Sequence, residues 1–343
     1  MILLGVVGVV TLSSISPAAL VRKQLFWHLL GLSAYFTMLV LPSESWRKLT
    51  LPLYLLSLLL LVAVDIAGVT TMGAQRRISL GVFQIQPSEF AKIALVLASA
   101  WVIEREKKPY NFVTLFKPLA VLAPPFLLTA AQPDLGTALV MMGIVGAMVL
   151  HRSVRPRTAL TLLTVFLLCI PVIWNSNLVL KEYQKDRIRA VLNPEKDPLN
   201  KGYHIIQSKI AIGSGRIWGK GYGHGSQSRL NFLPEKCTDF VFAVFAEEWG
   251  FVGSVLLLLL YAFFIWQAYS VARYARDSFS CLVGVGLATM LMLHFFINVG
   301  MTMGLLPVVG VPLSLVSYGG SSLVVTYTAV GILSNIWKER GPL

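Results

Sequence analysis

Apolar runs recur along almost the whole chain, and each is long enough to demand burial in lipid or protein. Ten of them stand out, at about 1–16, 25–42, 49–67, 87–104, 113–130, 137–150, 158–175, 241–267, 280–304 and 321–337. A helix needs about 20 predominantly apolar residues to cross a bilayer, because each residue rises about 1.5 Å. Only helices and closed barrels satisfy their backbone groups in hydrocarbon. Runs of this length select the helix. The expected fold is therefore an all-α polytopic integral membrane protein, one transmembrane domain over 1–343, with about ten spans.

Composition agrees. Charged residues make up 13% of the chain, against about 25% in soluble domains. Mean hydropathy is +0.71. The net charge of +13 does not point to nucleic acid, since no soluble basic domain is present to carry it. Basic loops flanking apolar spans account for it instead. Cys169, Cys237 and Cys281 form neither a disulfide framework nor a zinc pattern. The first run has no basic residue before it and no clear cleavage site, so no signal peptide is evident. It is short for a span: either the native start lies upstream or the helix continues to Ile15.

Orientation follows from lysine and arginine in short loops. Arg47, Lys48, Arg105, Lys107, Lys108, Arg152, Arg155, Arg157, Arg273, Arg276, Lys338 and Arg340, twelve in all, lie at one set of span ends. Arg22, Lys23, Arg76 and Arg77, four in all, lie at the other. The richer side is expected in the cytoplasm with both termini. The long loop 176–240 then faces outside. Its stretch 202–232 mixes glycines and bases with Ile205, Ile210, Trp218 and Phe232, and predicts a short amphipathic helix near 203–212 on the outer leaflet.

Ionisable residues inside spans are costly and are candidates for function. Glu89 and Lys92 stand three apart on one face of the fourth span, either as a self-neutralised structural pair or as the lining of a polar cavity. Pro87 and Ser88 fit the start of that helix. Asp134, within Gln132-Pro133-Asp134-Leu135-Gly136-Thr137, suits a cap between two spans. Glu247 and Glu248 fall inside the eighth span. Asp239 stands where the long loop re-enters the membrane, as a helix cap or as a general base, with Glu235 four residues before it. Gly219-Lys220-Gly221-Tyr222-Gly223-His224-Gly225 matches neither a P-loop nor a dinucleotide fingerprint. It reads as a flexible loop or as backbone amides cradling phosphate, helped by Lys220, Arg216 and Arg229. His204, His224 and Cys237 have no tight metal spacing. A loosely held Mg²⁺ or Mn²⁺ between a carboxylate and a diphosphate would leave none.

Several long segments, in order, resemble the SEDS family (shape, elongation, division and sporulation). They are Gly73–Gly81 (GAQRRISLG), Gln86–Lys92 (QPSEFAK), Gln132–Thr137 (QPDLGT), Thr238–Ala243 (TDFVFA), Glu247–Phe251 (EEWGF), Gly304–Pro312 (GLLPVVGVP) and Ser317–Ser322 (SYGGSS). Gly225–Phe232 (GSQSRLNF) is similar to the rod-shape branch rather than the division branch. Two positions depart, with Arg77 where the family usually has Trp and Cys237 where it usually has His.

The resemblance implies a peptidoglycan glycosyltransferase that polymerises lipid II at the outer face of the bacterial cytoplasmic membrane. It also implies work within the elongation machinery beside a class B penicillin-binding protein. It puts the catalytic aspartate at Asp239 and the family's Glu–Lys pair at Glu89 and Lys92. It calls for no nucleotide, and a divalent cation is optional. The rival readings are a lipid II flippase, for which buried charges and Gly/Pro-broken spans suit a transport path, and a scaffold that recruits the transpeptidase.

Overall fold

The computed structural model describes residues 1–71, 74–81, 83–106, 109–161, 164, 168, 182–196, 201–230, 232–233 and 235–340. Long helices occupy nine of the ten expected spans: α1 Ile2–Ile15, α2 Ala18–Val40, α3 Ser43–Ala67, α4 Pro87–Ile103, α5 Phe112–Ala131, α6 Leu135–Arg152, α9 Val241–Arg273, α10 Ser278–Thr302 and α11 Gly320–Lys338. The seventh expected span, 158–175, lies largely outside the described residues. Among the described residues five helices (α3, α5, α6, α9 and α10) are long and apolar enough to cross a membrane by length and composition alone. The chain is a polytopic helical membrane protein.

Local chemistry sets the helix ends. Asn111 and Thr114 form a reciprocal capping box on α5, and that helix carries Pro118, Pro124 and Pro125 inside it. Asp134 and Asp277 cap α6 and α10 by accepting from Thr137 N and Ser280 N. Pro87 occupies the first turn of α4, where its missing N–H costs nothing.

Two helices form the centre. Nearly every residue of α4 is buried, and α10 is sheathed by α4, α6 and α9. Leu95, Leu97, Met141, Ile144, Met148, Leu287 and Ala288 make the core there. Small residues let helices approach closely where lipid provides no hydrophobic drive. On the α2–α11 contact, a Cβ on Gly31 would lie 2.4 Å from the Tyr327 ring. Polar clasps flank that contact, with His28 Nδ1 3.0 Å from the Tyr327 hydroxyl and Asn335 Nδ2 donating to the carbonyls of Leu39 and Leu41.

The link between α3 and α4 contains an element that hydropathy did not reveal. Strands β1 Val69–Thr71, β2 Ala74–Leu80 and β3 Phe83–Ile85 form an antiparallel sheet in the order β1-β2-β3. Val69 pairs with Arg77 and Ile78 with Ile85. The strands are too short and too polar to show as apolar runs. Within 176–240 the described residues form α7 Glu182–Leu192, α8 Lys201–Ser214 and a helical turn at Ser226–Arg229. The expected helix near 203–212 is α8, packed along α9.

Candidate functional site

The turn that leads into α9 presents Asp239. The amides of Thr238, Asp239 and Phe240 all donate to the Glu235 carbonyl, which curls residues 235–240 tightly. Helix α9 is capped at Phe240 without any side-chain bond, so Asp239 does not serve as its N-cap. Three hydrogen bonds from two distant segments clamp the turn. Asn298 Nδ2 donates to the Asp239 carbonyl at 3.0 Å, Tyr318 N to the Cys237 carbonyl at 2.8 Å, and Ser317 Oγ to the Thr238 carbonyl. A Cβ on Gly310 would lie 3.5 Å from Asp239 Oδ2. The segments 304–312 and 317–322 thus meet at the aspartate.

Asp239 opens onto a cavity of about 600 Å³. Glu89 lines the same cavity, together with Arg22 and Lys23 from α2, Arg77 and Gln84 from the sheet, and the 318–322 segment. The cavity is therefore bipolar, with carboxylates and bases facing one space. The Asp239 carboxyl is pushed up to about 6, first by burial and then by the charge of Glu235. A hydrogen bond from Thr238 and the charges of Arg187 and Arg77 act in the opposite direction. Its ring of protein atoms leaves it only partly open to water, so it is a carboxylate of raised basicity beside fixed positive charge.

Glu89 and Lys92 are in contact. Lys92 Nζ donates to Glu89 Oε1 at 2.7 Å, and the residues are 3% and 1% exposed. Lys92 Nζ also lies 2.7 Å from His294 Nε2 on α10, and His294 Nδ1 lies 3.3 Å from Ser314 Oγ. Glu89 Oε2 has no hydrogen-bond partner among the described residues. Asp134 caps α6, accepts from Gln86 Nε2 at 3.2 Å, and lies 3.8 Å from Arg76. Arg76 also donates to the carbonyls of Gln132 and Pro133. That network pins the sheet to the head of α6, just beside α4.

The glycine-rich loop performs a different task from phosphate cradling. Helix α9 is interrupted at Gly250, with φ 67° and ψ −162°. The break frees the carbonyls of Glu247 and Glu248, which accept from the amides of Lys220 and Gly221, both at 3.0 Å. The amides of Phe251 and Val252 donate in return to the carbonyls of Arg216 and Ile217. The loop is spliced into the helix through four backbone bonds. Glu247, fully buried, also takes hydrogen bonds from Lys220 Nζ at 2.7 Å, Gln227 N at 3.0 Å and Ser228 Oγ at 2.8 Å. Gly223 N donates likewise to Glu248 Oε1 at 3.1 Å, so the anions held here are the protein's own carboxylates.

Lys220 is thereby paired with Glu247. Arg216 and Arg229 are exposed, and neither of them, nor Lys220 or Glu235, is among the described residues lining the cavity. Glu235 acts on Asp239 through its charge and accepts from Thr238 Oγ1 at 3.1 Å. His204 stacks on Phe240, and Cys237 Sγ lies 3.1 Å from Ser16 Oγ. Among the described residues no group of three or more His, Cys, Asp or Glu side chains gathers.

Sequence reasoning overlooked four residues here. Arg22 and Lys23 counted only as loop charges. His294 and Asn298 did carry a signal, being polar residues four apart on one face of an apolar run.

The comparisons settle the family. The family model described as "Cell cycle protein", which groups FtsW, RodA and SpoVE, matches residues 1–341. The chain belongs to this family, the SEDS proteins. It is 44% identical over 315 residues to the peptidoglycan glycosyltransferase MrdB of Escherichia coli K12, covering 91% of this chain and 84% of MrdB. It is 33% identical to the peptidoglycan glycosyltransferase RodA of Treponema pallidum, covering 92% and 88%. Among solved structures, a chain described under polymerization and crosslinking by a peptidoglycan synthase complex superposes with a TM-score of 0.86. Its identity is 34%, with 99% of this chain and 96% of that one covered. The rod shape determining protein RodA of Thermus thermophilus superposes with a TM-score of 0.74 at 29% identity, covering 99% and 94%.

Proposed function

We propose that this SEDS protein is a peptidoglycan glycosyltransferase that polymerises lipid II into glycan strands during cell elongation, with Asp239 as its general base. The observation that carries this reading is the shared cavity. A carboxyl pushed up to about 6 faces the same space as Arg22, Lys23 and Arg77. Glycosyl transfer from a lipid diphosphate asks for both parts. The acceptor 4-hydroxyl must lose a proton as its oxygen attacks C1 of the donor sugar. The C1–O bond to the diphosphate breaks, and the diphosphate leaves with the electron pair.

A glycosidase needs two carboxylates because its sugar leaving group must be protonated. A diphosphate departs as a stable anion, so one base suffices. Asp239 takes the proton, and a base of raised pKa does so better near neutral pH. Arg22, Lys23 and Arg77 stabilise the charge that grows on the diphosphate. Single direct displacement of an α-linked donor inverts the anomeric centre to a β-1,4 product. The Asp239 carboxylate would be the group to hold a divalent cation, which would supply further neutralisation of the diphosphate charge.

The site belongs at the outer face of the bacterial cytoplasmic membrane. The tally of short-loop charges supports cytoplasmic termini and an external 176–240 loop. The likeness to a chain described within a peptidoglycan synthase complex supports a class B penicillin-binding protein as partner. Purified protein, with its transpeptidase partner, should convert lipid II to polymer in detergent, where no membrane remains to be crossed. Absence of polymer under those conditions would return the chain to a transport or scaffolding role.

A further inference from the structure

Lys92 is an ammonium that is 1% exposed. It has three N–H donors and no acceptor, so each donor lacking a partner at that depth carries a large penalty. Glu89 Oε1 takes one at 2.7 Å. The second faces His294 Nε2, also at 2.7 Å. For Nε2 to accept, the ring proton must sit on Nδ1, which then donates to Ser314 Oγ at 3.3 Å. Ser314 is itself tethered, since its carbonyl accepts from the Tyr261 hydroxyl at 2.5 Å. A run of buried groups from Tyr261 through Ser314 and His294 to Lys92 thus ends on Glu89.

The consequence falls on the far oxygen of Glu89. Oε1 is turned inward to Lys92, and Oε2 is buried without a partner among the described residues. Glu89 lines the cavity that holds Asp239. A carboxylate beside an ammonium accepts hydrogen bonds and does not donate them. The group that satisfies Oε2 must be a donor, and hydroxyls and amide N–H groups are the donors a sugar brings.

We infer that His294 is a positioning residue: by holding Lys92 it fixes Glu89 so that Oε2 accepts a hydrogen bond from a hydroxyl or amide N–H of the bound amino sugar. The inference rests on the glycosyltransferase reading and adds a substrate contact and the residue that aims it. His294 acts through Lys92 and Glu89 and touches no reacting atom.

The test compares His294→Gln, His294→Leu and wild type. Glutamine carries an oxygen near the place of Nε2 and keeps an acceptor for Lys92, whereas leucine fills the volume and removes it. Lipid II affinity is measured by titration on the folded fraction of each purified protein, and melting temperature is recorded beside it. His294→Leu should bind lipid II at least tenfold more weakly, with His294→Gln within about threefold of wild type, as expected for loss of one buried hydrogen bond to a charged group. A purely structural histidine would lower the melting temperature of the leucine variant and leave the affinity of its folded fraction unchanged, which would overturn the inference. Equal weakening in both variants would overturn it too, because the acceptor would then not be what matters. Wild-type protein that neither binds nor polymerises lipid II would instead sink the glycosyltransferase reading itself.

Discussion

Asn298 holds Asp239 by the backbone and leaves its carboxylate free. The Asn298 amide donates to the Asp239 carbonyl at 3.0 Å and to the Val311 carbonyl at 2.8 Å. One buried side chain on α10 therefore joins the re-entry turn to the 304–312 segment, a little over one helical turn from His294. Asn298 fixes the aspartate in place without making any demand on its acid–base chemistry.

Asp239→Asn should separate chemistry from folding. It keeps the shape and removes the base, so polymerisation should fall by at least about a hundredfold. The ionised carboxyl is disfavoured where it sits, so the variant should melt no lower than wild type. Lipid II polymerisation and thermal unfolding, measured side by side, check both halves. Near-normal polymerisation would remove Asp239 as the base and bring Glu235 back into consideration.

The pH dependence has a definite sign. A base works when deprotonated, so activity should fall roughly tenfold per pH unit below about 6, with Asp239 held at about 6. Stability runs the other way. The folded-state pKa lies above the ordinary value of 3.8, so the folded form holds the proton more tightly. Asp239's contribution to stability is therefore complete below pH 3.8 and is lost as pH rises towards about 6. Rate and unfolding profiles of wild type against Asp239→Asn isolate the two effects.

Glu89→Ala strands a buried ammonium, at a cost of roughly 3–5 kcal/mol. Activity and thermal stability should both drop. Replacing Glu89 and Lys92 together by apolar residues of similar volume should restore stability and leave polymerisation low. Recovery of both properties in the double variant would show the pair to be structural only.

Gly250→Ala should uncouple the outer loop from α9. A Cβ there would lie 2.2 Å from Gly219 N, and φ is +67°. The steric and backbone strain together should cost about 1–3 kcal/mol and open the 216–225 loop to limited proteolysis. Gly146→Ala on α6 is the control, because a Cβ there meets nothing within 4 Å. Equal behaviour of the two variants would argue against the splice.

Topology can be read with membrane-impermeant thiol reagents on a variant lacking its three native cysteines. A cysteine at Asn193 should be labelled from outside and one at Arg155 should not. The reverse pattern would invert the protein in the membrane.

The sequence by itself determined the bundle and the polar points within it. Hydropathy located α1 to α6 and α9 to α11 because a bilayer imposes one length and one composition on every span. Spacing of three put Glu89 and Lys92 on a common face, and its place between two apolar runs suited Asp134 to a cap. The three-stranded sheet stayed hidden, since its strands alternate over too few residues to leave a period. The glycine-rich loop was read as flexible or phosphate-binding, for nothing local says that a later helix, around a break at Gly250, supplies its partners.

The site itself was decided by tertiary structure. Asp239 could have been a cap or a base on sequence alone. Only packing shows α9 capped at Phe240, the Asp239 carbonyl taken by Asn298, and the carboxylate facing Glu89, Arg22, Lys23 and Arg77 across one cavity. Lys220 looked as suitable for a diphosphate as Lys23 does. Their roles parted because one ammonium folds onto Glu247 at 2.7 Å and the other faces the cavity. Charge at short range depends on distance and burial, and the chain order carries neither.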